Sequence, residues 1–168
     1  MWTYDFFQET DLPPDCVWAP LSEIESWPAF DSKIRKIEMM RPPSEGAIYY
    51  LEAFSGKRHR RRIAGFFAPS RFEDVSRLPL ARVHTTYSLF QRPRGTFINV
   101  RVEYRGFLSL VWGPILGPLY VKRLTRFTSL LLDHARSLQQ LEKSPAIGES
   151  VSSSPEEASP KDEVSAAT

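Results

Sequence analysis

The chain has 168 residues, of which 42% are hydrophobic and 12% aromatic, as expected of a soluble globular domain large enough to bury a core. Its formal net charge of +2 conceals an acidic end, because residues 144–168 hold five acids and one lysine and leave about +6 on the first 143. A single cysteine, Cys16, excludes an internal disulfide, and the N-terminus lacks a signal-peptide pattern, so we expect a cytoplasmic protein.

The first third of the chain reads as one strand followed by two short helices. Trp2 to Glu9 is aromatic-rich and ends at a turn cluster, which predicts a strand. Pro14 is placed to start a short helix, and Ser22–Trp27 predicts a second one, ended by Pro28. Ile34 to Met40 then mixes apolar and charged residues before a Pro-rich loop.

From residue 47 to residue 105 the pattern predicts an antiparallel meander. Its segments are Ala47–Phe54, His59–Phe67, Arg71–Val75, Leu80–Gln91 and Thr96–Arg105. The last two alternate best: Val83, Thr85, Tyr87 and Leu89 share one face of their strand, and Ile98, Val100, Val102 and Tyr104 share one face of the next. A one-residue slip would reverse these faces, so the register is strongly specified.

Residues 106–143 predict a long amphipathic helix that covers one face of this sheet. Apolar residues recur at helical spacing from Tyr120 through Phe127 to Leu138. The Gly/Pro-rich part before Tyr120 is either a loop or a kinked start of the helix, since Pro114 and Pro118 each remove a backbone hydrogen bond. Its uncharged run is shorter than the ~20 residues of a spanning helix, so no membrane span is expected.

Residues 144–168 contain seven serines and no aromatic residue. Such a segment buries too little surface to offset the entropy of ordering it, so a disordered acidic tail is predicted after a domain at 1–143.

The order of one strand, two short helices, about six strands and a long helix is an α+β helix-grip arrangement, a curved antiparallel sheet wrapped around a C-terminal helix. Three short patterns, Pro14-x-x-Val17-Trp18, Trp27-Pro28-x-Phe30-Asp31 and Pro69-x-Arg71-Phe72, resemble the START/Bet v1-like (SRPBCC) superfamily. Within it the polyketide cyclase/dehydrase and lipid-transport group is the most similar. The resemblance covers roughly residues 1 to 140 and implies an apolar ligand cavity between sheet and helix.

The predicted inner face supplies the candidate site residues. Tyr87 and Tyr104 stand in aliphatic rows where a buried hydroxyl needs a partner, so each is a candidate to orient or protonate a ligand, or else a packed core residue. Glu52 is a candidate base if its face, shared with Tyr50 and opposite to Tyr49, is the inner one. The remaining candidates for lining the cavity are Trp27, Phe30, Tyr49, Arg62, Thr85, Val102, Trp112, Tyr120 and Phe127.

Other charged features have simpler interpretations. The run from Lys57 to Arg62 lacks interleaved aromatic residues, which makes nucleic-acid binding unlikely and leaves a charged edge strand or an arginine that reaches into the cavity. Asp31 is interpreted as a turn cap in preference to a pocket acid. The three histidines and one cysteine show no metal-ligand spacing, and nucleotide-binding motifs are absent, so no metal or cofactor is expected.

Two function classes follow from these features. One is an enzyme that steers cyclisation, dehydration or isomerisation of an apolar, polyketide-like molecule. The other is a non-catalytic carrier or sensor for a lipid or quinone-like ligand. A pocket that combines a tyrosine, an arginine and a carboxylate favours the enzyme, whereas a smooth apolar pocket favours the carrier. The oligomeric state is left open by the sequence.

Overall fold

The computed structural model describes residues 1–143, which form a curved antiparallel sheet and three helices. The strands are β1 (Trp2–Thr10), β2 (Ile34–Met39), β3 (Ile48–Ala53), β4 (Arg58–Phe67), β5 (Arg71–Leu78), β6 (Ala81–Arg92) and β7 (Gly95–Arg105). The helices are α1 (Pro14–Ser22), α2 (Trp27–Phe30) and α3 (Ser109–Lys143), with a 3₁₀ turn at Ile24–Ser26 before α2. The strand order β1-β7-β6-β5-β4-β3-β2 makes a continuous seven-stranded meander, so the helix-grip prediction is confirmed.

The alternation of β6 and β7 sets the inner face of the sheet. Val83, Thr85, Tyr87 and Leu89 are all buried, and their neighbours in β6 are exposed or half-buried. Thr85 pairs with Val102 and Tyr87 with Val100, so the two apolar rows lie side by side. The inward faces predicted from periodicity are therefore the ones observed.

Helix α3 closes the inner face of the sheet. Leu124, Phe127, Leu131 and Ala135 are buried at helical spacing, as the amphipathic pattern predicts. The helix begins at Ser109 and runs through Pro114 and Pro118, so the Gly/Pro-rich part is helical and the loop alternative is wrong.

Small residues explain how the first half of α3 reaches the sheet edge. A Cβ added at Gly113 would lie 2.5 Å from Cγ of Trp2, and one added at Gly117 would lie 2.1 Å from Cε2 of Tyr4. Only glycine permits this close approach to β1. The same side of the helix is tied to β1 by the Tyr4 hydroxyl, which donates to the Gly113 carbonyl at 3.3 Å.

The short helices cover the end of the sheet near β2. Pro28 lies within α2 instead of ending the preceding helix, because proline is tolerated in a first turn, where backbone N–H groups lack helical partners anyway. The indole of Trp27 donates to the Pro20 carbonyl at 3.2 Å, which fixes α2 against α1. Asp31 is buried and accepts from the Lys33 backbone N–H at 2.9 Å, the turn-capping role favoured from the sequence.

Within residues 1–143, no helix is long and apolar enough to cross a membrane. The predicted acidic tail, residues 144–168, lies outside the described residues.

Candidate functional site

A buried polar cluster lies at the centre of the otherwise apolar inner face. Asp74 in β5 is 2% exposed, and its Oδ2 accepts hydrogen bonds from the Tyr49 hydroxyl at 2.5 Å and from Arg61 Nη1 at 2.7 Å. Tyr49 and Arg61 face each other across β3 and β4, and Asp74 pairs with Thr85 of β6. Four adjacent strands therefore contribute to one hydrogen-bonded row.

Arg61 connects this row to helix α3. Its Nη2 donates to the Tyr120 hydroxyl at 2.7 Å, and the Thr85 hydroxyl lies 3.3 Å from the same oxygen. The arginine thus joins a carboxylate on the sheet to a phenol on the helix. Because both of its terminal nitrogens are used, the guanidinium is held in one orientation.

The electrostatics of the cluster keep Arg61 charged and the buried phenols neutral. Burial alone would lower the pKa of Arg61, but Asp74 and then the tyrosines raise it well above its ordinary value. Burial and the Asp74 charge raise the pKa of Tyr49 well above 10, and they do the same to the pKa of Tyr87. Burial also raises the pKa of Tyr104. The tyrosines of this face are therefore hydroxyl donors at neutral pH.

Two buried polar atoms of the cluster have no hydrogen-bond partner among residues 1–143: Arg61 Nε and Asp74 Oδ1. A buried donor and acceptor without partners are costly. Both atoms are consequently available to a ligand or a water molecule.

The interior cavity beside the cluster is small. It offers about 30 Å³, lined by Trp27, Arg61, Asp74, Tyr87, Tyr120 and Phe127 among others, which is room for about one water molecule. Aromatic rings fill the rest: the ring centroids of Trp27 and Phe127 are 4.9 Å apart, and those of Trp27 and Tyr49 are 6.0 Å apart. The large side chains that suggested a lined cavity occupy most of its space.

A much larger cavity opens next to it, at the end of the sheet. This mouth cavity has about 570 Å³ and lies between the β3–β4 turn, the end of β5 and the first half of α3. Its apolar wall is Leu78, Val83, Tyr104, Leu116, Leu119 and Tyr120, and its basic wall is Lys57, Arg58, Arg60, Arg61, Arg77 and Arg123, with His59 between them. No acidic side chain among the described residues lines it. Its volume lies in the range of small-molecule sites.

The predicted site residues divide between these two cavities. Tyr104 and Tyr120 line the mouth cavity, while Trp27, Tyr87, Tyr120 and Phe127 line the interior one. Tyr49, Thr85 and Val102 are buried on the inner face. Phe30 lies outside both linings and packs on Phe127 and His134. Trp112 also lies outside them, and its indole donates to the Pro79 carbonyl at 2.9 Å.

Two residues that were predicted to face the cavity, Glu52 and Arg62, lie on the outer face of the sheet. Glu52 lies on the outer face, where it pairs with Arg35 at 3.0 Å, because Tyr49 and not Tyr50 is the inward residue of β3. Arg62 is exposed on the outer face, and its neighbour Arg61 is the arginine that turns inward. Arg61 lies opposite Tyr49 in the ladder, so it shares the inner face with that residue.

Sequence reasoning missed Arg61, Asp74, His59 and Arg123. Each is a polar residue inside a charged or mixed stretch, where alternation between apolar and polar side chains gives no signal. Asp74 pairs opposite Thr85, a residue already assigned to the inner face, and that pairing is the one clue that identifies it. Among residues 1–143, no group of histidine, cysteine and acidic side chains is placed to hold a metal ion.

No protein-family model matches the chain, and no curated protein matches its sequence. Solved structures share its fold. Ara h 8.0201 superposes with a TM-score of 0.70 at 13% identity, covering 80% of this chain and 97% of that one. A norcoclaurine synthase point mutant from Thalictrum flavum, in complex with a transition state analogue, gives 0.61 at 14% identity, covering 79% and 94%.

The di-domain ARO/CYC protein StfQ from the steffimycin biosynthetic pathway gives a TM-score of 0.63 at 15% identity. The match covers 83% of this chain and 51% of StfQ, so this chain spans about half of that protein. These likenesses show the fold: the chain has a helix-grip fold like that of Bet v1-like proteins, as the resemblance in its sequence implied.

Proposed function

We propose that the chain binds an apolar small molecule with a carbonyl or carboxylate group in the mouth cavity and steers its cyclisation, dehydration or isomerisation. The observation that carries this proposal is the position of Arg61, which lines both cavities and contacts Asp74 and Tyr120. A tyrosine, an arginine and a carboxylate therefore meet where the interior cavity adjoins the mouth cavity, with Asp74 on the interior side only, and this combination favours an enzyme over a carrier.

Tyr120 and Arg61 are suited to stabilise negative charge on a ligand oxygen. Arg61 donates to the Tyr120 oxygen, which leaves the phenolic hydrogen free to point at a ligand carbonyl. The guanidinium behind it strengthens that donor as charge develops on the ligand oxygen. The aliphatic wall of the cavity would hold the remainder of the molecule in a folded conformation.

His59 is the group suited to accept a proton. It lines the mouth cavity, and burial together with Arg61, Arg123 and Lys57 lowers its pKa below 6.5. Its imidazole is then neutral at pH 7 and able to take a proton from a carbon next to the ligand carbonyl. The electrons of that C–H bond move to the carbonyl oxygen held by Tyr120. The resulting enolate is protonated at another carbon or attacks a second carbonyl, which closes a ring.

The proposed cyclisation or isomerisation is also supported by the proteins that have a similar fold. A norcoclaurine synthase and an ARO/CYC protein of a biosynthetic pathway share the fold at low identity, and on that basis we infer a role in small-molecule biosynthesis. The lone cysteine supports a cytoplasmic location.

Binding is tested with anilinonaphthalene sulfonate, an apolar anion whose fluorescence rises in apolar surroundings. We expect saturable binding to the native protein and about fivefold weaker binding to Arg123→Gln, which removes about 1 kcal/mol of ionic contact from the cavity wall. Arg94→Gln, an exposed arginine in the β6–β7 turn, is the matched control and should bind like the wild type. Dye fluorescence that appears only on partial unfolding would contradict the proposal.

The alternative is a non-catalytic carrier of a lipid or quinone. Two observations favour it. Asp74, Arg61 and Tyr120 hydrogen-bond to one another, so their polar groups are already partly satisfied without a ligand. The interior cavity beside them has only about 30 Å³. Incubation with a linear poly-β-ketone followed by mass spectrometry separates the two functions. Conversion that is lost in His59→Gln supports the enzyme, whereas binding without conversion supports the carrier.

A further inference from the structure

The first half of α3 presents an uncovered apolar face to solvent. Phe107, just before the helix, and Leu110, Val111, Ile115 and Leu119 within it are 87%, 65%, 47%, 63% and 69% exposed. Val111, Ile115 and Leu119 are four residues apart and fall on one side of the helix, and Leu110 and Phe107 extend the exposed surface at its beginning. We name these five residues the apolar stripe. A contiguous exposed patch of large apolar side chains marks an interaction surface.

The packing of α3 prevents this stripe from turning inward. Gly113 and Gly117 lie on the side of the helix opposite Val111, Ile115 and Leu119, where Trp2 and Tyr4 fill the space that a Cβ would need. The Tyr4 hydroxyl bonds to the Gly113 carbonyl and fixes the rotation of the helix. The apolar stripe is therefore a permanent outer surface of the domain.

The charged residues that border the stripe in the sequence are cations. No acidic residue occurs between Glu103 and Asp133, while Arg105 precedes the stripe and Lys122 and Arg126 follow it within two helical turns. All three cations are exposed, although Arg105 pairs with Glu103 and Arg126 lies 3.9 Å from Asp31. An apolar helix face bordered by lysine and arginine matches the surface of an anionic bilayer, with acyl chains under the apolar side chains and phosphates beside the cations.

We propose that the apolar stripe docks the chain on the surface of a bilayer that contains anionic lipids, with the first half of α3 lying in the plane of the interface. A second copy of the chain fits this face less well, because it would bring the same cations together, and the acids near them, Glu103 and Asp31, already pair with Arg105 and Arg126. The chain's own residues 144–168 offer only Ile147, Val151 and Val164 as large apolar side chains.

The two prolines of α3 leave helix carbonyls without a backbone partner, which favours a position in the headgroup layer. Pro114 and Pro118 have no N–H, so the carbonyls of Leu110 and Pro114 lack their usual helical partner. Such carbonyls need water or headgroup donors, which the interface supplies and the hydrocarbon core does not. Leu119 belongs to the stripe and also lines the mouth cavity. Docking would therefore place that opening against the lipid.

The test is co-sedimentation of the full chain with vesicles of phosphatidylcholine, alone or with phosphatidylserine as the minority lipid. We expect binding to the anionic vesicles that weakens as salt is added. Leu110→Ser combined with Ile115→Ser should reduce the partition coefficient at least about tenfold, and Lys122→Gln about fivefold, as expected for one cation at an anionic surface. None of these residues lines the mouth cavity.

Leu141→Ser is the matched control, because Leu141 is 72% exposed on the same helix but lies beyond the stripe. It should bind vesicles like the wild type, and thermal melts should show that every variant is folded. Absence of binding to anionic vesicles overturns the proposal, as does full binding by the Leu110→Ser/Ile115→Ser protein. A dimer seen by analytical ultracentrifugation and abolished by the same double substitution would assign the stripe to a second copy instead.

Discussion

Arg61 differs from the other basic residues of the run 57–62 in being buried, and this difference makes it the central residue of the site. Lys57, Arg58, Arg60 and Arg62 are exposed, and so is His59 except for the part of its ring that neighbouring side chains shield from water. A buried guanidinium is stable only when its charge is compensated, and Asp74 supplies that charge at 2.7 Å. Asp74 therefore holds the guanidinium in a fixed position, and Arg61 lines both cavities from there.

Removing the charge of Arg61 should be strongly destabilising. Arg61→Met leaves the Asp74 carboxylate buried without its counter-ion, and we expect the free energy of unfolding to fall by about 3–5 kcal/mol. Urea denaturation measures the change. Arg61→Met combined with Asp74→Asn removes both charges and keeps an acceptor for Tyr49, so it should recover more than half of the loss. If Arg61→Met alone costs less than about 1 kcal/mol, the pair is not the buried structural centre described above.

Two tyrosines form a matched pair for separating the cavities. Tyr120→Phe removes a hydroxyl from the wall of the mouth cavity, and its dye affinity should fall about two- to tenfold, the worth of one hydrogen bond. Tyr87→Phe removes a hydroxyl that borders only the interior cavity, so the fold and the dye affinity should be retained. Fluorescence titration measures both. An equal loss in the two variants would show that the ligand reaches the interior.

His59 should make anion binding depend on pH. Its pKa is lowered by burial and by neighbouring cations, so it is neutral at pH 7 and gains its proton only below pH 6.5. An anion in the mouth cavity favours the protonated form, so dye affinity should rise as pH falls from 7 through the lowered pKa. His59→Gln should bind with a flat profile, while His134→Gln, remote from the cavity, should keep the wild-type profile. A rise that survives His59→Gln would assign the effect to another group.

The lowered pKa of His59 also makes the folding stability depend on pH, because the folded and unfolded chains bind the proton at different pH values. The unfolded chain takes up the His59 proton near pH 6.5, before the folded protein does. This group therefore lowers folding stability as pH falls from about 6.5 to the folded-state pKa, and changes it no further below that value.

At the level of secondary-structure elements, periodicity predicted the strands and failed where polarity does not alternate. Val83, Thr85, Tyr87 and Leu89 were assigned to the inner face, and all four are buried. In β4 the basic run gives no such contrast, and the choice of Arg62 over Arg61 was wrong for that reason. The polar row from Tyr49 to Tyr120 depends on pairing across four strands and a helix, which no local pattern records.

The volume of the cavities was also beyond prediction. A sequence shows which aromatic residues face inward, but their rotamers decide whether they line a space or fill it. Trp27 and Tyr87 both pack on Phe127 in the interior, and the cavity left beside them has about 30 Å³. The open space lies instead beside the first half of α3, in a part of the chain where proline and glycine obscured the helix.

The glycines of α3 are packing residues, and substituting them should be costly despite alanine's higher helix propensity. Gly117→Ala places a Cβ 2.1 Å from the Tyr4 ring, which forces a shift of helix or strand and should cost about 1–3 kcal/mol. Gly113→Ala should cost less, because Trp2 is 38% exposed and can move. Thermal denaturation measures both.

Pro118→Ala is the matched control within the same turn of α3. Its side chain faces outward, and the substitution returns an N–H to the helix, so stability should be unchanged or raised. If Gly117→Ala proves as stable as Pro118→Ala, the close approach of α3 to β1 is wrong.

At the scale of the whole molecule, we expect the domain to fold without its acidic end. Among residues 109–142 the last buried one is Ala135, and residues 137–142 are exposed or half-buried, so a chain that stops after Lys143 keeps every buried side chain that the structure describes. The segment removed has seven serines and no aromatic residue, a composition that contributes little buried apolar area.

Deleting residues 144–168 should therefore shift the melting temperature by no more than a few degrees, equivalent to about 1 kcal/mol for a domain of this size. Leu131→Ala in the full chain is the opposite case. Leu131 is 1% exposed at the interface of α3 with the rest of the core, so its truncation should cost about 2–5 kcal/mol. Calorimetry on the two proteins side by side measures both effects. A tail deletion that lowers stability as much as Leu131→Ala would show that residues 144–168 pack on the domain, and the boundary after Lys143 would have to be moved.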